Sequence, residues 1–155
     1  NRENQMKKFF FLFLLSLSNV TFAASDVIVD AVTCKTFEGK DLKLIFVPES
    51  QLFSLSLDNA VVVETTIDKI YLQPYATQST IYFPPKSGDN RWFLVREDAS
   101  DKTGYTNVSL DIRQDQSGKL IKRYQCKKET ISSMLMEFSA EGREVPENIE
   151  SLMNQ

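Results

Sequence analysis

Apolar and polar residues alternate with a period of two along most of the chain from Val27 to Lys127. In residues 53–57, FSLSL, the phenylalanine and leucines would point to one side of a strand and the serines to the other. Residues 106–113 repeat this pattern, and turn-forming residues such as Asp115 and Gly118 interrupt it about every 8 to 12 residues. The pattern predicts an all-β domain, an antiparallel meander of about eight to nine strands that forms a small barrel or sandwich.

The hydrophobic period changes after Cys126, where alternation gives way to helical spacing. Four apolar residues then recur at positions i, i+3, i+4 and i+7, namely Ile131, Met134, Leu135 and Phe138. Thr130 is a suitable N-cap, Gly142 is a suitable stop, and Pro146 can open a second short helix. Because a helix of about 12 residues is marginal alone in water, we expect the four apolar residues to dock this amphipathic tail on the sheet.

Residues 6–23, MKKFFFLFLLSLSNVTFA, have the pattern of a secretory signal peptide. Two lysines precede an apolar run that is short for a membrane span, and Thr21-Phe22-Ala23 offers small residues before a cleavage site. No cysteine lies beside that site, so we expect a soluble product in the bacterial periplasm rather than a lipoprotein, without a transmembrane span after cleavage. The predicted organisation is upstream residues plus signal peptide in 1–23, a β-domain in 24–128 and an acidic helical tail in 129–155.

Cys34 and Cys126 are the only cysteines, and the chain has no histidine. Because exported proteins meet an oxidising environment, we expect these two residues to form one structural disulfide across the β-domain. Without histidine, a Ser-His-Asp or Cys-His catalytic group cannot be built, and zinc sites normally use histidine or cysteine ligands. The sequence therefore predicts a protein that is not an enzyme and has no cofactor and no metal site.

Charge is divided unevenly along the chain. Residues 24–128 contain as many basic as acidic residues, whereas residues 129–155 contain one basic and six acidic residues. Five basic residues lie between Lys119 and Lys128. We expect these charges to be solvated on a strand and a helix, or the acidic tail to fold back over the basic strand or meet a basic partner. The neutral body and acidic tail argue against nucleic acid as a partner.

Aromatic and arginine side chains form a candidate binding patch. Its members are Tyr71, Tyr82, Arg91, Trp92 and Arg96. Strand alternation places the two tyrosines on the face opposite the inward-pointing aliphatic residues. If this face is exposed, its composition is that of a binding hot spot. Alternatively the tail covers it through Met134 and Phe138, or it is buried inside a sandwich.

The carboxylates of Glu97, Asp98 and Asp101 lie close together in the sequence. Paired acids could serve a carboxylate-dependent enzyme or bind calcium, but adjacent acids in a polar loop are typical of a solvated surface. The leading hypothesis is therefore an exported, non-enzymatic β-domain that binds a protein or envelope component. The alternatives are a small lipocalin-like carrier of an apolar ligand and the carboxylate-dependent enzyme.

Ser87-Gly88 and Thr103-Gly104-Tyr105 are short motifs of serine, glycine and tyrosine. In size, export and strand content the chain has a format similar to that of exported bacterial inhibitors of host lysozymes. Those inhibitors are small β-barrels stapled by a disulfide, with such motifs in their recognition loops. The resemblance implies protein binding without catalysis, and because it concerns format only, no site residue is transferred from it.

Overall fold

The computed structural model describes residues 27–74, 77–99, 106–138 and 143–155. Within these residues eleven strands form two facing sheets, and one helix lies near the end of the chain. The predicted all-β class is confirmed, and the chain adopts an open sandwich rather than a closed barrel. The segment interpreted as a signal peptide lies outside the described residues.

The first sheet contains the first four strands and one short strand from the tail. These are β1 (Val29–Lys35), β2 (Asp41–Val47), β3 (Leu52–Leu57), β4 (Ala60–Thr66) and β10 (Ser132–Ser133). They pair antiparallel in the order β10-β1-β2-β3-β4. In β3 the residues Phe53, Leu55 and Leu57 are buried, while the two serines between them are partly exposed. The predicted alternation thus decides which face of this sheet forms the core.

The second sheet contains the remaining strands. These are β5 (Tyr71–Pro74), β6 (Gln78–Phe83), β7 (Arg91–Ala99), β8 (Thr106–Gln114), β9 (Leu120–Gln125) and β11 (Arg143–Glu144). The order is β11-β5-β6-β7-β8-β9, antiparallel except for β11, which runs parallel to β5. The longest strands, β7 and β8, pair along their whole length and form the centre of the sheet.

Phenylalanines fill the space between the two sheets. Phe46 and Phe53 lie with ring centroids 4.6 Å apart, and Phe138 from the tail meets them edge-on at 5.2 and 5.9 Å. Leu135 is 1% exposed in the same core. Aromatic rings meeting edge-on add about 0.5–1.5 kcal/mol per pair beyond their buried area. The tail therefore supplies part of the sandwich core.

The two sheets are joined at one side by the predicted disulfide, which is confirmed. Cys34 of β1 and Cys126, just after β9, have Cα atoms 5.7 Å apart. Backbone hydrogen bonds continue this contact, since the Phe37 N–H donates to Gln125 O at 3.0 Å and the Lys127 N–H donates to Lys35 O at 2.8 Å. Backbone hydrogen bonds as well as the disulfide therefore join the two sheets on this side of the sandwich.

The tail differs from prediction in its first half. The helix α1 (Glu147–Met153) forms after Pro146, but residues 131–138 form strand β10 and a 3-10 turn (Leu135–Phe138) instead of an α-helix. The Met134 N–H donates to Ala31 O, so pairing with β1 satisfies backbone groups that a helix would have used. The proposed stop, Gly142, lies outside the described residues. In the part of the chain described, no helix is long and apolar enough to cross a membrane.

Candidate binding surfaces

Strand register brings most of the predicted aromatic patch together on the outer side of the second sheet. Tyr71 pairs with Tyr82, and Tyr82 pairs with Leu94 on the next strand. Tyr71 and Trp92 stack with ring centroids 6.4 Å apart. We call Tyr71, Tyr82, Trp92 and Leu94 the aromatic face. Arg96 lies on the same side and hydrogen-bonds Thr80 Oγ1 at 3.4 Å.

Arg91 is placed apart from the rest of the predicted patch. It alternates with Trp92, so its side chain lies on the opposite side of β7, where it stands 5.4 Å over the ring of Phe93. Its guanidinium donates to both oxygens of Asp89, and this hydrogen bond holds the pKa of Asp89 below its ordinary value. Arg91 therefore belongs to an exposed ion pair at the end of the sandwich.

The aromatic face is covered by the end of the chain. Residues 143–155, which we call the C-terminal strap, lie across it, with Met153 fully buried and Val145 7% exposed in one cluster with Tyr82, Trp92 and Leu94. Covering by the tail was one of the alternatives predicted from the sequence, but with Met134 and Phe138 as the covering residues. Phe138 instead enters the core between the sheets, and Met134 is 37% exposed. Ile131 packs against that core.

Polar side chains surround the covered aromatic face. The Tyr82 hydroxyl donates to Gln73 Oε1 at 2.7 Å and accepts from Asn154 Nδ2 at 3.2 Å. Arg96 donates to Asn154 Oδ1, and Gln73 donates to Glu150. An open polar cleft of about 460 Å³ lies beside this network, lined by Gln73, Gln78, Glu147, Glu150, Ser151 and Asn154. The strap is thus held by hydrogen bonds at its edge and by apolar contact at its centre.

A charge cluster centred on the buried Asp111 occupies β8 and β9 beside the strap. Asp111 accepts two hydrogen bonds from Arg123, at 2.6 and 2.7 Å, and its carboxylate lies 3.5 Å from Arg113 Nη2. The Asp111 hydrogen bonds raise the pKa of Arg123 above its ordinary value. Arg113 is 4% exposed, and its Nη1 donates to Gly118 O at 2.8 Å. These charges tie strand β9 to the centre of the sheet.

An exposed apolar and basic surface runs around the edge strand β9, with Lys122 and Arg123 on opposite sides of the sheet. Its members, which we call the β9 surface, are Phe37, Leu120, Ile121, Lys122 and Arg123. Phe37 is 66% exposed, Ile121 53% and Leu120 37%. Glu38 brings the loop of Phe37 alongside β9 through an ion pair with Lys122 at 3.4 Å. The sequence signal for this surface was the cluster of basic residues from Lys119 to Lys128, but the exposure of its apolar members depends on β9 lying at the sheet edge.

The adjacent carboxylates Glu97 and Asp98 lie on opposite sides of β7. Glu97 points between the sheets, is 6% exposed, and accepts a hydrogen bond from Ser133 Oγ at 2.8 Å. Asp98 pairs with Asn107 on the next strand. Consecutive residues of a strand face opposite ways, so these two carboxylates do not share a cleft. Asp101 lies outside the described residues.

Comparison with protein-family models, with curated proteins and with solved structures found no match to this chain. Of the two motifs that suggested the inhibitor format, Ser87-Gly88 lies in the exposed loop before β7. Thr103-Gly104-Tyr105 lies outside the described residues.

Proposed function

We propose that the protein is an exported, non-enzymatic β-sandwich that binds a protein partner through the β9 surface. The observation that supports it is the combination of exposed apolar side chains and cations on one edge of the second sheet. Exposed apolar patches on folded domains commonly mark sites of interaction. Aromatic and arginine residues are enriched where binding energy concentrates.

The partner is expected to present apolar side chains together with acidic groups. Covering Ile121 and Phe37 would remove apolar area from water, at about 25 cal/mol per Å². The side chains of Lys122 and Arg123 are 47% and 45% exposed and pair with Glu38 and Asp111, so an acidic partner would have to share or replace these ion pairs. Such charges mainly speed association and select the partner.

Export to the periplasm is part of this proposal. It is supported by the signal-peptide pattern of residues 6–23 and by the disulfide, since disulfides persist in oxidising compartments. The sandwich core supports the binding role over the carrier role, because Phe46, Phe53 and Phe138 occupy the space that a lipocalin-like ligand would need. The opposite facing of Glu97 and Asp98 likewise argues against a paired-carboxylate enzyme.

Site-specific photo-crosslinking tests the proposal. A photoreactive phenylalanine at Ile121 in the full chain, expressed in its native envelope, should give a discrete protein adduct. Val61 is the matched control, because it is 58% exposed against 53% for Ile121 but lies on β4 of the other sheet. Replacing Lys122 with glutamate should lower the adduct yield about tenfold, as expected when a charge-complementary contact is reversed. Equal adducts from positions 61 and 121 would contradict the proposal.

A further inference from the structure

The C-terminal strap depends on the aromatic face for its structure. Helix α1 spans only Glu147–Met153, and β11 spans two residues. Isolated helices shorter than about 12 residues are marginal in water. Its apolar residues Ile149, Leu152 and Met153 contact the aromatic face. The strap therefore folds where it meets a complementary surface, and the aromatic face of another copy offers the same surface.

Specific polar and cation–π contacts favour this segment on this face. The strap carries Arg143 as well as Glu144, Glu147 and Glu150, and the Arg143 guanidinium stands 4.5 Å over the ring of Tyr71. Arg96 donates to Asn154 at the C-terminal end of α1, where cations are favourable. Arg113 Nη1 lies 3.5 Å from the backbone oxygen of Gln155. The face thus selects an amphipathic segment that has a cation at its start and hydrogen-bond acceptors at its end.

Gly118 determines whether the strap can approach. It adopts φ +68°, and a Cβ there would lie 2.2 Å from the backbone oxygen of Leu152. Contacts that short do not occur between such atoms, so any side chain at position 118 would push the strap away. Gly88 has a similar φ of +83° with nothing within 4 Å of its Cβ position. The chain thus contains a matched pair of glycines, of which only Gly118 touches the strap.

We propose that the aromatic face is an exchangeable docking groove, and that the strap of a second copy of this chain can occupy it. The strap in cis has the advantage of a high effective concentration, so the intact chain closes on itself. When the cis strap is damaged, the groove accepts an intact strap in trans. This inference goes beyond the proposed function and does not involve the β9 surface.

Trp92 provides the readout, because it is the only tryptophan of the chain and is 5% exposed beneath the strap. Met153→Asp places a carboxylate at a fully buried position of the strap, so the full-length variant should leave the groove open and shift tryptophan emission to longer wavelength. A synthetic peptide of residues 143–155 should restore the emission, and a scrambled peptide should not. Gly118→Ala should show the same shift but bind the peptide about tenfold more weakly. Gly88→Ala should keep the emission of the unaltered chain.

Mixing two variants tests exchange between copies. Gly118→Ala retains an intact strap with a blocked groove, whereas Met153→Asp retains an intact groove with a damaged strap. Native mass spectrometry should show heterodimers in the mixture and monomers in each variant alone. The proposal is overturned if Met153→Asp leaves the emission unchanged, if the peptide fails to restore it, or if the mixture gives no heterodimer. Circular dichroism of each variant separates loss of the strap from loss of the fold.

Discussion

Asp111 is a buried carboxylate that pairs with two cations of the second sheet. Its side chain is 4% exposed and serves two arginines, Arg113 and Arg123. Removing one partner of a buried ion pair leaves an uncompensated charge and typically costs about 3–5 kcal/mol. We predict that Asp111→Asn lowers the free energy of unfolding by an amount of this order, measured by urea titration.

Asp89 provides the comparison for this prediction. Its carboxylate pairs with Arg91, but the two side chains are 31% and 47% exposed. Exposed ion pairs contribute about 0–1 kcal/mol, so Asp89→Asn should change the unfolding free energy far less than Asp111→Asn. Similar losses in the two variants would show that Asp111 does not behave as a buried charge.

At the scale of elements, the period-two alternation of apolar and polar residues predicted the strands better than the helical spacing of apolar residues predicted the tail. In β3 the inward residues Phe53 and Leu55 follow from the sequence, because a strand with one buried face must alternate. The stripe of Ile131, Leu135 and Phe138 was misread as a helix. Leu135 is buried and Ile131 and Phe138 are partly buried against the core, but Met134 of the same stripe is exposed, and β1 offered backbone partners that no local pattern reveals.

The predicted binding patch likewise shows that a local pattern does not reveal which distant segment packs on a face. Alternation put Tyr71 and Tyr82 on the side opposite the inward aliphatic residues, as the strand register shows, whereas the placement of Trp92 beside them came only from the structure. Alternation could not show that α1 covers them, since which segment lies over a face depends on the path of the whole chain. The predicted binding role of this patch therefore stays a prediction. The exposed position of Ile121 likewise follows from the strand order and not from its neighbours in sequence.

The turn between β3 and β4 gives a prediction about pH. Asp58 Oδ1 accepts the Asp41 N–H at 2.8 Å, and this bond, together with Lys40, lowers the pKa of Asp58. Because the pKa is lower in the folded than in the unfolded chain, the charge stabilises the fold above the ordinary aspartate pKa of about 3.9. That stabilisation is lost as the pH falls through the lower, folded-state value.

Replacing Asp58 with asparagine tests this assignment. Asparagine also tolerates the positive φ of 48° at this position, so the change removes mainly the charge. We predict that Asp58→Asn is less stable than the unaltered chain at neutral pH and that the difference disappears in strong acid. Thermal unfolding at both pH values measures it. An equal difference at the two pH values would attribute the effect to the turn conformation instead.

At the scale of the whole molecule, the disulfide and the backbone share the task of holding the sheets together. Cys34 and Cys126 are 92 residues apart in sequence. In the chain-entropy model, a link closing so long a loop contributes about 4–5 kcal/mol by restricting the unfolded chain. The neighbouring hydrogen bond from the Lys127 N–H to Lys35 O is made by the backbone and does not depend on the disulfide. Loss of the disulfide should therefore lower stability more than it changes structure.

The double variant Cys34→Ala, Cys126→Ala separates these two effects. Both sulfurs are buried, at 3% and 1% residue exposure, so alanine avoids the cost of a buried hydroxyl. We predict a urea midpoint well below that of the oxidised chain, with unchanged circular dichroism and unchanged Trp92 emission in the absence of denaturant. The chain treated with a reducing agent should match the variant. A shift of the emission on loss of the disulfide would contradict this prediction. It would mean that the Cys34–Cys126 link also controls the distant aromatic face beneath the strap. Backbone hydrogen bonds and core packing would then not be enough to hold the two sheets together.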